Sequence, residues 1–105
     1  MKEKTVVELK QMIDNNDEFQ LIDVRESHEF DQANLDGKLI PLGNILNQTN
    51  DIRTDVPVVI HCRSGARSAV AIHQLESTHG FTNLYNLKGG IIAYAKEIDQ
   101  SLVVE

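Results

Sequence analysis

The sequence predicts an α/β domain with a mainly parallel central sheet covered by helices on both faces. Short apolar segments alternate with helical ones along the chain, and the best strand candidate is β-branched and continuously apolar. The length of 105 residues suits one domain. We therefore expect residues 1–105 to form a single domain, with no internal repeat.

The first half of the chain carries signals for two helices and two strands. Thr5 followed by Glu8 fits a capping box ahead of an amphipathic repeat. Ser27 is expected to cap the second helix, and Pro41 marks the end of the second strand. The predicted elements are a helix over 6–15, a strand over 19–24, a short helix over 28–33, a turn over 34–37, a strand over 39–42 and a helical turn over 44–48.

The second half contains the clearest strand, which runs directly into a glycine-containing loop. Gly80 suits the left-handed cap of a helix, and Gly89 with Gly90 is expected to open the last helix. The predicted elements are a surface loop over 50–55, a strand over 58–61, a loop over 62–68, a helix from 69 to about 79, a strand over 83–87 and a helix after 90.

Composition excludes several classes of protein. The net charge of −6 gives no general attraction to nucleic acid or anionic lipid, so neither is an expected partner. The longest apolar run covers residues 91–95, too short to cross a membrane, and the amino terminus has no signal-peptide pattern, so we expect a cytoplasmic protein. A single cysteine, Cys62, forbids an internal disulfide and a multi-cysteine metal centre.

The loop that follows the best strand carries the chemistry. Cys62 stands at the carboxyl end of a strand and just before a helix, where backbone N–H groups without helical partners bind anions. Arg63 and Arg67 add the only charges between residues 56 and 75. Helix N-termini and nearby cations lower a thiol pKa, so we expect Cys62 to be a reactive thiolate rather than a small buried apolar residue.

The four histidines give no catalytic partner or metal site. His61 neighbours Cys62, but adjacent strand residues point to opposite faces, so its ring is expected to pack away from the sulfur. The spacing of His28, His73 and His79 places no two of them on one site. We expect neither a metal nor a cofactor.

Several motifs together resemble the single-domain rhodaneses. They are Leu21 to Glu26 with Glu29 and Phe30, Cys62 to Ser68, Gly80 and Phe81, Asn83, Tyr85 to Leu87, Gly89 to Ile91, and Ala93 with Tyr94. The resemblance implies a sulfurtransferase in which Cys62 takes the outer sulfur of a small anionic donor such as thiosulfate and holds it as a persulfide. The acceptor would be cyanide or a thiol, with a sulfur-accepting protein as a further candidate.

The same resemblance assigns roles within the loop. The main chain of Arg63, Ser64, Gly65, Ala66 and Arg67 would form a substrate cradle, with the arginine side chains facing the anionic donor. Phosphatases related to rhodaneses have five residues between cysteine and arginine, whereas this loop has four, so a phosphatase or arsenate-handling enzyme is the poorer fit. A non-catalytic domain that binds partners is the other alternative.

Two parts of the sequence depart from the family pattern, and the role of three further charged residues stays open. Residues 34–38 and Tyr94 differ from the usual rhodanese residues, which bears on local conformation and partner choice. Asp23, Arg25 and Glu29 lie at or just past another strand end. They either support the loop or form an ordinary capping and salt-bridge network.

Overall fold

A five-stranded parallel sheet forms the middle of the molecule. The structure is a computed structural model that describes residues 1–105. Its strands are β1 (Glu3–Lys4), β2 (Gln20–Asp23), β3 (Lys38–Leu39), β4 (Val58–His61) and β5 (Leu84–Leu87). Its helices are α1 (Val6–Asp14), α2 (Ser27–Gln32), α3 (Ala66–His79) and α4 (Gly90–Glu97), with 3-10 turns at Leu42–Asn47 and Thr49–Asp51. The strand order is β1-β5-β4-β2-β3, which confirms the predicted α/β class.

The two faces of the sheet bury separate apolar clusters. Val58 and Ile60 of β4 pack with Ile72 and Leu75 of α3 on one face. Val59 packs on the other face with residues of α1, β5 and α4: Val6, Leu9, Leu87 and Tyr94. All four residues of β4 are buried. The period-two alternation of strand residues therefore places helices on both sides, as the sequence predicts. None of the helices combines the length and the apolar character needed to cross a membrane.

Strand β1 is the element that the sequence does not reveal. It contains only two residues, and both are charged. It pairs with β5, where Glu3 lies opposite Asn86 and Lys4 opposite Leu87. A short, charged strand is typical of a sheet edge, where side chains need no apolar pattern.

Some predicted boundaries shift by a few residues. Ser27 does not cap α2, because the N-cap is Glu26, whose N–H donates to Glu29 Oε1 at 3.1 Å. Regular strand β3 ends at Leu39, but the main chain continues its parallel bonding through Leu42, whose N–H donates to Val24 O at 3.0 Å. The capping box of α1 is confirmed, with Glu8 N–H donating to Thr5 Oγ1 at 3.1 Å.

Helix α3 starts earlier than the predicted residue 69. Gly65 adopts φ of 114°, a left-handed conformation that turns the chain sharply after Cys62. Helical geometry then begins at Ala66, so Arg67 and Ser68 belong to the first turn rather than to a loop. The start of a helix therefore lies three residues closer to the sulfur than the sequence indicates.

Candidate active site at the end of the central strand

Cys62 lies at the centre of the carboxyl edge of the sheet, between the end of β4 and the start of α3. The residue is 1% exposed. The N–H of Gly65 donates a hydrogen bond to Sγ at 3.1 Å. In this position the sulfur faces main-chain donors that have no carbonyl partner within the helix, as at other anion-binding helix N-termini.

The surroundings favour the ionised form of this thiol. Burial opposes ionisation, but hydrogen bonds from the Ser68 hydroxyl and from the main chain of Ser68, Gly65 and Ser64 outweigh it. The pKa of Cys62 is therefore lowered from its ordinary value. A lowered pKa supplies thiolate, which is the nucleophilic form of cysteine.

A polar network behind the sulfur involves Ser68 and Asn86, which the sequence did not single out as site residues. Ser68 Oγ lies 3.4 Å from Cys62 Sγ and 2.6 Å from Asn86 Oδ1. Asn86 Nδ2 donates to Gly65 O at 3.1 Å. The Ser68 hydroxyl has one hydrogen, so Asn86 Oδ1 and the sulfur compete for it as acceptors. The Nδ2 group of Asn86 at the same time fixes the turn at Gly65. Ser68 could have been found from the sequence, because it directly follows Arg67. Asn86 lies on β5, and its position beside the sulfur can be inferred only when the order of the strands is known.

The start of α4 holds the other side of the loop. The N–H groups of Ile91 and Ile92 donate to the carbonyl oxygens of Cys62 and Arg63 at 3.0 and 3.1 Å. Gly90 makes this approach possible, because a Cβ there would lie 2.4 Å from Arg63 O and 2.7 Å from Cys62 O. Two helix N-termini thus meet the loop, α3 at the sulfur and α4 at the carbonyls.

Arg67 is held by a carboxylate instead of pointing freely toward a substrate. Its Nη1 and Nη2 atoms donate to Glu29 Oε1 and Oε2 at 2.6 and 2.9 Å. The hydrogen bonds from Arg67 lower the pKa of Glu29 to about 2, against the opposing effect of burial. The pair joins α2 to α3 beside the sulfur and neutralises much of the positive charge predicted for the loop. Glu29 therefore contacts the loop through Arg67 while it also accepts the capping hydrogen bond from Glu26 N–H, so the two readings that the sequence left open both apply to it.

The remaining predicted cradle residues lie on the outer surface of the turn. Arg63, Ser64 and Ala66 are exposed. The side chain of Arg63 donates from Nε to the main-chain oxygen of Glu105 at 3.2 Å. Each of the two loop arginines therefore has a hydrogen-bond partner within the chain, Glu105 for Arg63 and Glu29 for Arg67. Neither pairing was predicted from the sequence.

Beneath the loop, a buried ion pair fixes the end of β2. Arg25 Nη2 lies 2.8 Å from Asp23 Oδ2 and donates to Ala33 O at 2.7 Å. Nε2 of His61 lies 3.7 Å from the same carboxylate oxygen and has no hydrogen-bond partner. Burial lowers the pKa of His61, which leaves the ring neutral. His61 packs against this pair, as expected from a side chain directed away from the sulfur.

Comparison with known proteins identifies the family. The sequence model of the family described as rhodanese-like domain matches residues 5–97 of this chain. A Bacillus subtilis protein described as uncharacterized is 42% identical over 80 residues, covering 75% of this chain and 63% of its own length. A protein named sulfurtransferase from Allochromatium vinosum is 37% identical over 89 residues, covering 84% of this chain and 82% of its own length.

A solved structure gives the same result in three dimensions. The crystal structure of a rhodanese-like domain protein from Staphylococcus aureus has a TM-score of 0.84 and 30% identity, covering 100% of this chain and 99% of that one. Several other curated relatives are much longer, and the chain spans about a quarter of their length. The family match over residues 5–97 and the shared fold lead to one conclusion: this chain belongs to the rhodanese-like domain family.

Proposed function

We propose that this chain is a sulfurtransferase that carries a sulfur atom on Cys62 as a persulfide. The observation that carries the proposal is the sulfur of Cys62 at the N-terminus of α3, with Gly65 N–H at 3.1 Å and a lowered pKa. Membership in the rhodanese-like family and a relative named sulfurtransferase support a sulfur-transfer role. We take residues 1–105 to act as one domain.

The reaction divides into two displacement steps. The Cys62 thiolate attacks the outer sulfur of thiosulfate, the sulfur–sulfur bond of the donor breaks, and sulfite leaves with the bonding electrons. An acceptor such as cyanide or a thiolate then attacks the outer sulfur of the persulfide. That sulfur leaves with the acceptor, and Cys62 returns to thiolate.

The main chain of residues 63–67 is the proposed cradle for the outer sulfur. The donors that act on Sγ already include the N–H groups of Ser64, Gly65 and Ser68. Pre-aligned N–H groups stabilise charge that develops on an anion without rearrangement. Arg63 and Arg67 would attract the anionic donor after each separates, in part, from its partner in the chain.

Two observations favour sulfur over phosphate. The loop has four residues between Cys62 and Arg67, one fewer than phosphatases use, and the residue after Arg67 is Ser68. Ser68 is buried against Sγ, and Arg67 is held by Glu29. The position where a phosphatase has its arginine therefore carries a hydroxyl, which cannot bind a phosphoryl group through paired N–H donors as a guanidinium does.

Mass spectrometry of the protein after exposure to thiosulfate tests the proposal. We expect a species one sulfur atom heavier, mapped to the peptide that contains Cys62, and removed by cyanide. Cys62→Ser is the control, because a hydroxyl is close in size but forms no persulfide. If the wild-type protein never gains that mass, the chain is a non-catalytic binding domain. If it instead hydrolyses a phosphate ester through Cys62, it is a phosphatase.

A further inference from the structure

Residues 103–105 lie along the edge of the loop. Gln32 Nε2 donates a hydrogen bond to the main-chain oxygen of Val103. The N–H of Glu105 donates to Gln32 Oε1 at 3.3 Å. The Nε of Arg63 donates to the main-chain oxygen of Glu105 at 3.2 Å. The segment thus links the end of α2 to the residue that follows the nucleophile.

Gln32 recognises the segment by its backbone. One carboxamide accepts an N–H and donates to a carbonyl two residues earlier, which is how a neighbouring strand would bind an extended chain. The side chain of Val103 is 69% exposed and takes no part. Recognition of this kind depends on an extended polypeptide and very little on its side chains. We call the surface formed by Gln32 and Arg63 the tail notch.

Two cavities flank the tail notch. On one side is a cavity of about 320 Å³ that Glu105 lines together with polar residues, including Glu29 and Gln32. On the other side, Val104 borders a cavity of about 310 Å³. Apart from the chain's own carboxyl-terminal residues, this second cavity is lined by the apolar Ile92 and Ala95 and by two cations, Arg63 and Lys96, which suits an apolar residue followed by an acidic one.

The chain's own segment is held weakly enough to exchange. Its three hydrogen bonds join exposed groups, and such bonds contribute little net stability because water replaces them readily. Arg63 also follows Cys62 directly in the chain, so the tail notch borders the loop that holds the sulfur. A polypeptide bound in the notch would therefore lie beside that loop.

We propose that the tail notch docks an extended segment of a protein acceptor and that residues 103–105 occupy it when no acceptor is bound. The proposal rests on the sulfurtransferase function. A thiolate on the docked segment would attack the outer sulfur of the Cys62 persulfide. The new sulfur–sulfur bond forms on the acceptor as the bond to Cys62 breaks, and Cys62 leaves as thiolate.

A peptide with the sequence of residues 101–105 followed by a cysteine is the probe. Its affinity is measured by NMR titration of the uncharged protein, so that binding is read without any sulfur transfer. Glu105→Pro removes the N–H that donates to Gln32 and so weakens the binding of the chain's own segment, which keeps its other two hydrogen bonds. We expect this variant to bind the peptide about three-fold more tightly than wild type.

Adding Gln32→Met to Glu105→Pro isolates the contribution of the notch. Methionine keeps the length of glutamine but neither donates nor accepts as the carboxamide does, so affinity should fall about ten-fold relative to Glu105→Pro alone. Both changes break the same contact within the chain, yet they should act on the peptide in opposite directions. Gln11→Met in the Glu105→Pro protein is the matched control, because Gln11 is exposed on α1. It should leave affinity unchanged.

Sulfur transfer supplies the second measurement. After loading with thiosulfate, we expect sulfur to move to the peptide about ten-fold faster than to free cysteine. Gln32→Met should lower the ratio of the peptide rate to the cyanide rate. If cyanide is converted but the peptide has no advantage and its affinity ignores Gln32, the docking inference is wrong and the proposed function stands. If affinity follows the expected pattern but Cys62 never loads sulfur, the docking surface stands and the sulfurtransferase proposal falls.

Discussion

Two arginine–carboxylate pairs stand at neighbouring points of the same sheet edge, and they differ in burial. Arg25 and Asp23 lie 2.8 Å apart with side chains 1% and 0% exposed. Arg67 and Glu29 lie 2.6 Å apart with side chains 35% and 21% exposed. The first pair fixes the backbone beneath the loop, whereas the second offsets positive charge of the loop. The same ion-pair chemistry thus serves architecture in one place and, under the proposed function, modulates the attraction of an anionic donor in the other.

The largest expected effect comes from breaking the buried pair. Arg25→Met leaves the Asp23 carboxylate buried without its counter-ion, which costs about 3–5 kcal/mol of the free energy of unfolding. Urea denaturation measures the loss. Arg53→Met is the control, since Arg53 pairs with Glu18 and Asp55 at the surface and is 41% exposed. Its cost should stay below about 1 kcal/mol. Equal losses in the two variants would contradict the distinction drawn from burial.

The partly buried pair of Arg67 and Glu29 should affect substrate use more than stability. Glu29→Gln removes the negative charge that holds Arg67, so the KM for thiosulfate should fall about five-fold, equivalent to about 1 kcal/mol of charge attraction. The KM should also become more sensitive to salt, because a freed surface charge is screened by ions.

Glu18→Gln is the control for this second prediction, because it also breaks an arginine pair but lies away from the loop. Steady-state kinetics at several salt concentrations make the comparison. A KM that rises in Glu29→Gln would show that the pair positions Arg67 for the donor instead of masking it.

The dependence on pH sharpens the same comparison. The pKa of Glu29 is lowered to about 2 in the folded protein from an ordinary value of 4.5. Its contribution to stability is therefore complete above about pH 4.5 and is lost as the pH falls toward 2. The difference in free energy of unfolding between wild type and Glu29→Gln should be constant near neutrality and shrink as the pH falls from about 4.5 toward 2. Denaturation at a series of acidic pH values measures it.

The smallest expected effect separates the charge of the loop from the hydrogen bonds at the sulfur. Ser68→Ala should raise the pKa of Cys62 by about half a unit to one unit, because it removes one hydrogen bond to the thiolate. Glu29→Gln should change that pKa less. The pH dependence of the reaction of Cys62 with iodoacetamide reports both values. Ser77→Ala, which removes an exposed hydroxyl of α3, is the control.

The sequence predicts those parts of the fold that depend on local chemistry. The capping box at Thr5, the apolar run of β4 and the glycines at 89 and 90 each act within a few residues, so their structures could be anticipated. The position of Cys62 was anticipated for the same reason, because the end of a strand, a glycine and the start of a helix are adjacent in the chain.

What could not be predicted depends on contacts between distant residues. The pairing of Arg67 with Glu29, 38 residues away, and of Asn86 with Gly65, 21 residues away, requires the spatial order of the strands. Strand β1 exists only because β5 offers it an edge. The early start of α3 follows from the left-handed turn at Gly65, which a glycine allows but does not dictate.

The hold of α4 on the loop has a consequence for synthesis on the ribosome. The N–H groups of Ile91 and Ile92 bind the carbonyl oxygens of Cys62 and Arg63. Strand β1 likewise pairs only with β5, which comes much later in the chain. Contacts between residues far apart in the chain form late, because the intervening chain must first be made and closed. The loop around Cys62 can therefore take its final form only after residue 92 has been made and has left the ribosome. Until then the thiol lacks the loop that lowers its pKa, so the proposed sulfur chemistry begins only when synthesis is almost complete.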